Sequence, residues 1–289
     1  MSYVWFDTGI EYRATVEHLG YLEDRYGVRI LRRRAEKTIP VSCREYGQPF
    51  VSKYASEQVM RLQRGGFRFE DGGYEELVAR YPDCTSALKW WCDAWTRTDT
   101  PGFFDIGRNH LLREFMVEHP PGFRISNKCC TYAKKRVSDK AMSELGADLL
   151  VTGVRAAEKG IRQAQRGYRS SCVTHGKDGR DSYRPLYWMS NADRDEYVRT
   201  HGVRHSDCYE VWGFKRTGCV GCPFNRNVLA ELGVARRYEP GLVALAERVF
   251  ADSYAYTRQY REYQMTHRRL HGGVREAEGQ MSLPGMESD

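Results

Sequence analysis

Hydrophobic and polar positions along this chain fall into two periods, and they predict a chain that alternates strands with helices. The run SYVWFD (2–7) is aromatic and β-branched, and it reads as a buried strand stopped by Thr8-Gly9. From Glu11 to Tyr26 the apolar residues Val16, Leu19, Leu22 and Tyr26 recur at helical spacing, with Gly27 as the stop. VRIL (28–31) reads as a second strand, so the three segments predict a βαβ unit and a parallel sheet. Further on, TYAKKRVSDKAMSEL (131–145) reads as a helix and ADLLVTGV (147–154) as a strand that runs into a glycine-arginine loop. YRPLYWMS (183–190) reads as another strand. NADRDEYVRTHG (191–202) reads as a helix capped by Ser190 or Asn191, with acidic residues in its first turn.

Residues 40–125 break this rhythm. Pro40, Pro49, Gly65-Gly66, Gly72-Gly73, Pro101-Gly102 and Pro120-Pro121-Gly122 punctuate short helical stretches such as SEQVMRLQR (56–64), KWWCDAW (89–95) and HLLREFMVEH (110–119). A mostly helical insertion covering the site is expected there. Residues 240–271 carry one long helical pattern rich in Tyr and Arg, and the polar Gly/Pro-containing end is expected to be disordered.

Composition narrows the class. No apolar run approaches the roughly 18 residues of a membrane span, and MSYVWFDTGIEY lacks the order of a signal peptide, so a cytoplasmic protein without a membrane partner is expected. Nine cysteines cannot all pair, and in a reducing compartment clustered cysteines more often mean metal or redox chemistry than disulfides. The net charge of +7 suits an anionic ligand such as a nucleotide, or a nucleic acid, as well as a mildly basic soluble enzyme.

Candidate chemistry gathers at a few places. Cys129-Cys130 is answered by Cys219-Val220-Gly221-Cys222. Two tight thiol pairs can hold zinc or an iron–sulfur cluster, or be small buried hydrophobes. Zinc ribbons usually pair two Cys-x-x-Cys turns, so adjacent cysteines favour 4Fe–4S, with Zn as the alternative. Cys172 is a candidate fifth ligand or working thiol, while Cys43, Cys84, Cys92 and Cys208 read as structural. In GVRAAEKGIR (153–162), Gly153 lets backbone approach a ligand, and Arg155 and Arg162 can clamp an oxyanion. Asp7-Thr8-Gly9 follows a strand and can face a nucleotide or a divalent cation such as Mg, or simply close a turn. Lys134 and Lys135, one turn after the cysteine pair, suit an anion or a cluster, or a solvated basic face.

Taken in order, WFDTGIEYRAT, NKCCTYAKK, LLVTGVRAAEKGIR, RPLYWMSNADRDEYVRTHGV and RTGCVGCPF resemble the motifs of the phosphoadenosine phosphosulfate (PAPS) reductase family, within the N-type ATP pyrophosphatase-like superfamily. YGQPFVSKYASEQV (46–59) further resembles the insertion of its phage and mobile-element members. The resemblance implies an α/β fold of the adenine nucleotide alpha hydrolase kind, a twisted parallel sheet with helices on both faces. It implies a domain over 1–226 with the insertion at about 40–125, followed by a helical extension (227–272) and a tail (273–289). It implies an adenine nucleotide (PAPS, APS or ATP), bound near Asp7, Thr8, Gly9, Lys134, Lys135, Gly153, Arg155 and Arg162. A 4Fe–4S cluster on Cys129, Cys130, Cys219 and Cys222 is implied as well. The chemistry implied is activated-sulfate reduction or nucleotide-dependent sulfur transfer, with an electron or sulfur donor protein as partner and Arg155, Arg162 and Cys172 as catalytic candidates.

The chain departs from the family in three places. The Ser-Gly-Gly-x-Asp-Ser phosphate loop should precede the Asp-Thr-Gly strand, yet only six residues precede Asp7, so the first βα unit is expected to be missing and two strand edges exposed. Glu158-Lys159 stands where Glu-Ser is expected, and no cysteine follows Cys222. The activity of this stretch alone is therefore in question. The alternative reading is a catalytically inactive nucleic-acid-associated module with a structural metal site. In it Tyr254, Tyr256, Tyr260 and Tyr263 would stack bases, Arg258, Arg261, Arg268 and Arg269 would hold phosphates, and EGQMSLPGM (278–286) would dock on a sliding clamp.

Overall fold

The computed structural model describes residues 1–95, 105–158, 171–176 and 179–275, with side chains up to 267. Arg162, Lys159, Arg268, Arg269 and the 278–286 peptide lie outside that description. Two compact units emerge: residues 1–57 with 124–251, and residues 58–123 with 252–289.

The first unit carries the α/β part. Strand β1 (Tyr3–Asp7) pairs in parallel with β2 (Ile30–Arg34), in a register that sets Tyr3 opposite Ile30 and Asp7 opposite Arg34. Helix α1 (Arg13–Tyr26) connects them and stops at Gly27, whose φ of 61° suits glycine. Glu23 on its last turn accepts the Ile30 N–H at 2.7 Å and an Arg32 guanidinium N–H at 2.6 Å, which pins the start of β2. A second sheet holds β3 (Leu149–Val151), β4 (Val173–Thr174) and β5 (Asp181–Tyr183) in the order β3-β5-β4. Within it β3 and β5 run parallel, and β4 is antiparallel to β5.

The fold is α/β, but its strands form two separate sheets where the sequence pattern suggests one. Among the described residues β1 pairs only with β2, and β3 only with β5. Leu149 and Val151 are 45% and 41% exposed, unlike the residues of an interior parallel strand. The 183–190 segment is corrected too. Only its first residue is strand, and the rest is turn, with Tyr187 N–H donating to Arg184 O and Met189 N–H to Leu186 O.

The helices after β2 in this unit are α2 (Ile39–Tyr46), the start of α3 (Lys53–Arg64), α7 (Lys128–Cys130), a π-helical turn (Thr131–Lys135), α8 (Arg136–Glu144), α9 (Asn191–His201), α10 (Asp207–Glu210), α11 (Val228–Ala235) and α12 (Pro240–Val249). The cap expected before α9 is present: Ser190 Oγ accepts the Asp193 N–H at 3.1 Å and the Asp193 carboxylate accepts the Ser190 N–H at 2.9 Å.

The second unit is helical, built from the rest of α3, α4 (Tyr74–Arg80), α5 (Thr85–Trp91), α6 (His110–Glu118) and most of α13 (Ala251–Arg275). Its core is aromatic. Phe67 and Phe69 meet Trp91 edge-on at 5.4 and 5.8 Å, and Trp91 Nε1 donates to Glu70 O at 3.1 Å. The long 240–271 pattern is two helices, divided at the buried Phe250. No helix among the described residues is long and apolar enough to cross a membrane.

Candidate metal and nucleotide site

The site is assembled by backbone pairing of distant segments in the first unit. After β1, Asp7-Thr8-Gly9 makes a turn in which Asp7 Oδ1 accepts the Gly9 N–H at 2.8 Å. Gly9 has a φ of 80°, and a Cβ there would stand 2.7 Å from the Thr38 side chain, so the turn requires glycine. The next residues reach across the chain: Val220 N–H donates to Ile10 O at 2.9 Å, and Glu11 bridges Cys219 in antiparallel fashion. The Cys-x-x-Cys turn is thereby held against the Asp-Thr-Gly loop. It closes through Cys222 N–H to Cys219 O at 3.2 Å, with Gly221 at a φ of 64°.

The other thiol pair is delivered by a second clamp. Gln48 N–H donates to Arg124 O at 2.8 Å, and Ser126 N–H returns to Gln48 O at 2.9 Å. Gly47, at a φ of 109°, allows this approach, since a Cβ would fall 2.2 Å from Arg124 O. Ser126 Oγ then accepts the Lys128 N–H at 3.0 Å, and the helix carrying Cys129 and Cys130 begins. Its π turn widens the coil directly after the cysteines, a feature that recurs at functional sites, and Lys134 lies within it.

The two pairs converge. Cys129 interacts with Cys130 and Cys222, Cys219 with Cys130, and Cys222 with both Cys219 and Cys130. Cys129 and Cys219 are buried; Cys130 and Cys222 are half-buried. The hydrogen bond with Cys129, then burial, raises the Cys130 thiol. For Cys129, the Cys130 hydrogen bond pulls downward, but Cys43 and burial push it well above the ordinary thiol value. Burial raises Cys219, and burial with its neighbours pushes Cys222 up to about 12.

One ammonium and one carboxylate complete the cluster. Burial works to lower the Lys134 pKa, but Cys219, Glu11 and Cys130 outweigh it and hold the value above an ordinary lysine. Burial raises Glu11, against the pull of Lys134. The Thr8 hydroxyl, fully buried, donates to Glu11 Oε1 at 2.5 Å and lies 3.6 Å from Cys219 Sγ. Glu11 Oε1 is itself 3.8 Å from that sulfur.

Among the described residues, no three His, Cys, Asp or Glu side chains stand ready to chelate a single metal ion. The donor set nonetheless suits a cluster. Four cysteines gathered beside Lys134 are soft donors of the kind that an iron–sulfur cluster takes.

Arg155 is 9% exposed and spends its guanidinium on backbone and amide oxygens: Nη1 donates to Met189 O at 3.3 Å and Ser190 O at 3.0 Å, and Nη2 to Asn191 Oδ1 at 3.2 Å. It ties the loop after β3 to the start of α9. A Cβ at Gly153 would meet the Leu186 side chain at 3.9 Å, Lys135 is exposed, and Cys172 sits half-buried beside β4, its carbonyl taking the Arg184 N–H at 2.8 Å.

Base stacking by the α13 tyrosines is corrected. Tyr254, Tyr256, Tyr260 and Tyr263 are all under 9% exposed, and the last three pack on Phe115 with ring centroids 4.8, 5.1 and 5.4 Å away. Sequence reasoning passed over two groups. Glu11 had a signal in the Asp-Thr-Gly-x-Glu motif; Cys43, which helps to raise the Cys129 thiol, had none.

A buried set of thiols held against the loop after a parallel strand defines an α/β protein with a cysteine-centred site. Residues 108–225, which include all four of these cysteines, match the phosphoadenosine phosphosulfate reductase domain, a similarity that points to sulfur-related nucleotide chemistry. No curated protein matches the chain.

Proposed function

We propose that this protein binds an adenine nucleotide and performs sulfur chemistry, by activated-sulfate reduction or nucleotide-dependent sulfur transfer, beside a 4Fe–4S cluster held by Cys129, Cys130, Cys219 and Cys222. The observation that carries this reading is the approach of the two thiol pairs to each other around Lys134. When bound, the cluster supplies either an electron or a polarising charge to a sulfur-bearing ligand. The chain's own residues do the rest. Lys134 offsets the negative charge of the thiolates in a site where burial makes uncompensated charge costly. Thr8 fixes the Asp-Thr-Gly loop to Cys219, so a nucleotide on that loop lies close to the sulfurs. The C-terminal ends of β1 and β3 lead into the two loops, around Asp7 and Gly153, where open parallel sheets receive nucleotides. Arg155 supports the second loop by anchoring it to α9.

Anaerobic purification followed by iron and acid-labile sulfide analysis, with equilibrium binding of ATP, APS and PAPS, tests the reading. Iron and sulfide in equal amounts, both lost in Cys222→Ser, together with binding of one of the three nucleotides, are expected. A colourless protein carrying zinc would remove the cluster, and absence of nucleotide binding in a loaded protein would remove the rest.

A further inference from the structure

Strand β2 ends in consecutive arginines, and they are not equivalent. Arg32 donates to Glu23 at 2.6 Å, and Arg33 pairs with Glu144 at 3.3 Å. The cations around the next turn are paired as well, Lys37 with Glu45, and Arg136 of α8 with Glu36 at 2.8 Å. Arg34, the last residue of the strand, is exposed and has no carboxylate partner among the described residues. Its charge is left uncompensated where those of its neighbours are neutralised.

Arg34 also stands where a ligand arrives. In the parallel pair of β1 and β2 it lies opposite Asp7, at the C-terminal end of both strands, and register partners share a face of the sheet. Asp7 turns its Oδ1 to the Gly9 N–H at 2.8 Å and forms no ion pair with Arg34. The chain beyond Arg34 is tied to the Asp-Thr-Gly loop by Ala35 N–H to Asp7 O at 2.8 Å and Ile39 N–H to Thr8 O at 2.9 Å. Backbone bonds before and after the arginine therefore fix its Cα at the rim of that loop.

We infer that Arg34 binds the phosphate or sulfate oxygens of a nucleotide seated on the Asp-Thr-Gly loop; the inference rests on the nucleotide-binding reading above. Such an oxyanion is best held by a guanidinium, whose planar fork donates two parallel hydrogen bonds to it. Arg155 has spent its fork on Met189, Ser190 and Asn191. Lys134 answers the thiols and Glu11. Arg34 keeps its donors, and a ligand reaches them without breaking an ion pair.

Equilibrium binding of adenosine, ATP, APS and PAPS to anaerobically purified wild type, Arg34→Ala, Arg34→Lys and Arg32→Ala tests this. Adenosine carries the base and ribose without the oxyanion. Arg34→Ala is expected to weaken the nucleotide that wild type binds by roughly tenfold to a hundredfold, to leave adenosine unchanged, and to flatten the salt dependence of nucleotide binding. Arg34→Lys should recover part of the loss, and Arg32→Ala should bind as wild type does. Unchanged nucleotide affinity in Arg34→Ala, an equal weakening of adenosine and nucleotide, or an equal loss in Arg32→Ala would overturn the role of Arg34 and leave nucleotide binding standing. Wild type that binds none of the four compounds would overturn both.

Discussion

Four cysteines whose thiols are all raised above the ordinary value set the terms of metal binding. At neutral pH each holds a proton in the metal-free protein, and a metal must displace it. Thiol protons are therefore released on loading, and affinity must rise as pH rises. Competition titration with a chelator across mildly acidic to mildly alkaline buffer is expected to show tightening with pH; a flat profile would mean the thiols are already ionised. Lys134 is the counterweight in this cluster. Lys134→Met removes the cation beside Cys219, Glu11 and Cys130, and with it the pull that opposes the effect of burial on the Glu11 carboxyl. Denaturant unfolding is expected to show a loss of about 1–3 kcal/mol, and iron retention should fall with it. At this scale the sequence was readable where a motif named the residue, as with the cysteines, Lys134 and Thr8. Glu11 and Cys43 join the site through pairing between segments more than 70 residues apart, Ile10 with Val220 and Gln48 with Arg124, and no local pattern encodes that.

Elements were legible in proportion to how local their causes are. Helix α1 ends where Gly27 permits a left-handed residue, and α9 starts where Ser190 and Asp193 cap each other; both signals lie within a few residues. The segment 183–190 misled because its apolar run mimics a strand, while its conformation is set at a distance. Arg184 is 2% exposed and donates to Ser171 O at 3.2 Å and to the Thr174 hydroxyl, which turns the chain after β5 and leaves Trp188 65% exposed. Two substitutions probe element placement. Arg155→Ala removes the bonds that hold the β3 loop to α9, and a loss of about 1–3 kcal/mol in unfolding free energy is expected, since three hydrogen bonds from a charged donor are lost. An unchanged stability with lost nucleotide binding would instead make Arg155 an anion ligand. Gly47→Ala places a methyl group against Arg124 O in a backbone region that disfavours side chains. Its expected outcome is a lower melting temperature and a loss of iron, because the strap that delivers Cys129 must shift.

For the whole molecule, the α/β class was legible from strand and helix periods, but the division of the chain was not. Residues 252–267 join the unit of residues 58–123 because Tyr256, Tyr260 and Tyr263 complete an aromatic core around Phe115. Tyr256 and Tyr263 also donate to His119 O at 2.6 Å and to Glu118 Oε1 at 2.8 Å. Periodicity says that a helix has an aromatic face, and only the fold says what that face meets. The same holds for the split sheet. Strands β1, β2 and β3 were visible as runs of apolar residues, while β4 and β5 were not, and which strands pair depends on their neighbours in space. The most direct test of the account is X-ray absorption at the iron edge on anaerobically reconstituted protein. The account predicts iron surrounded by sulfur alone, with short iron–iron scattering that disappears when Cys219 and Cys222 are both changed to serine. Iron bound through nitrogen or oxygen, or a signal indifferent to those two cysteines, would contradict it.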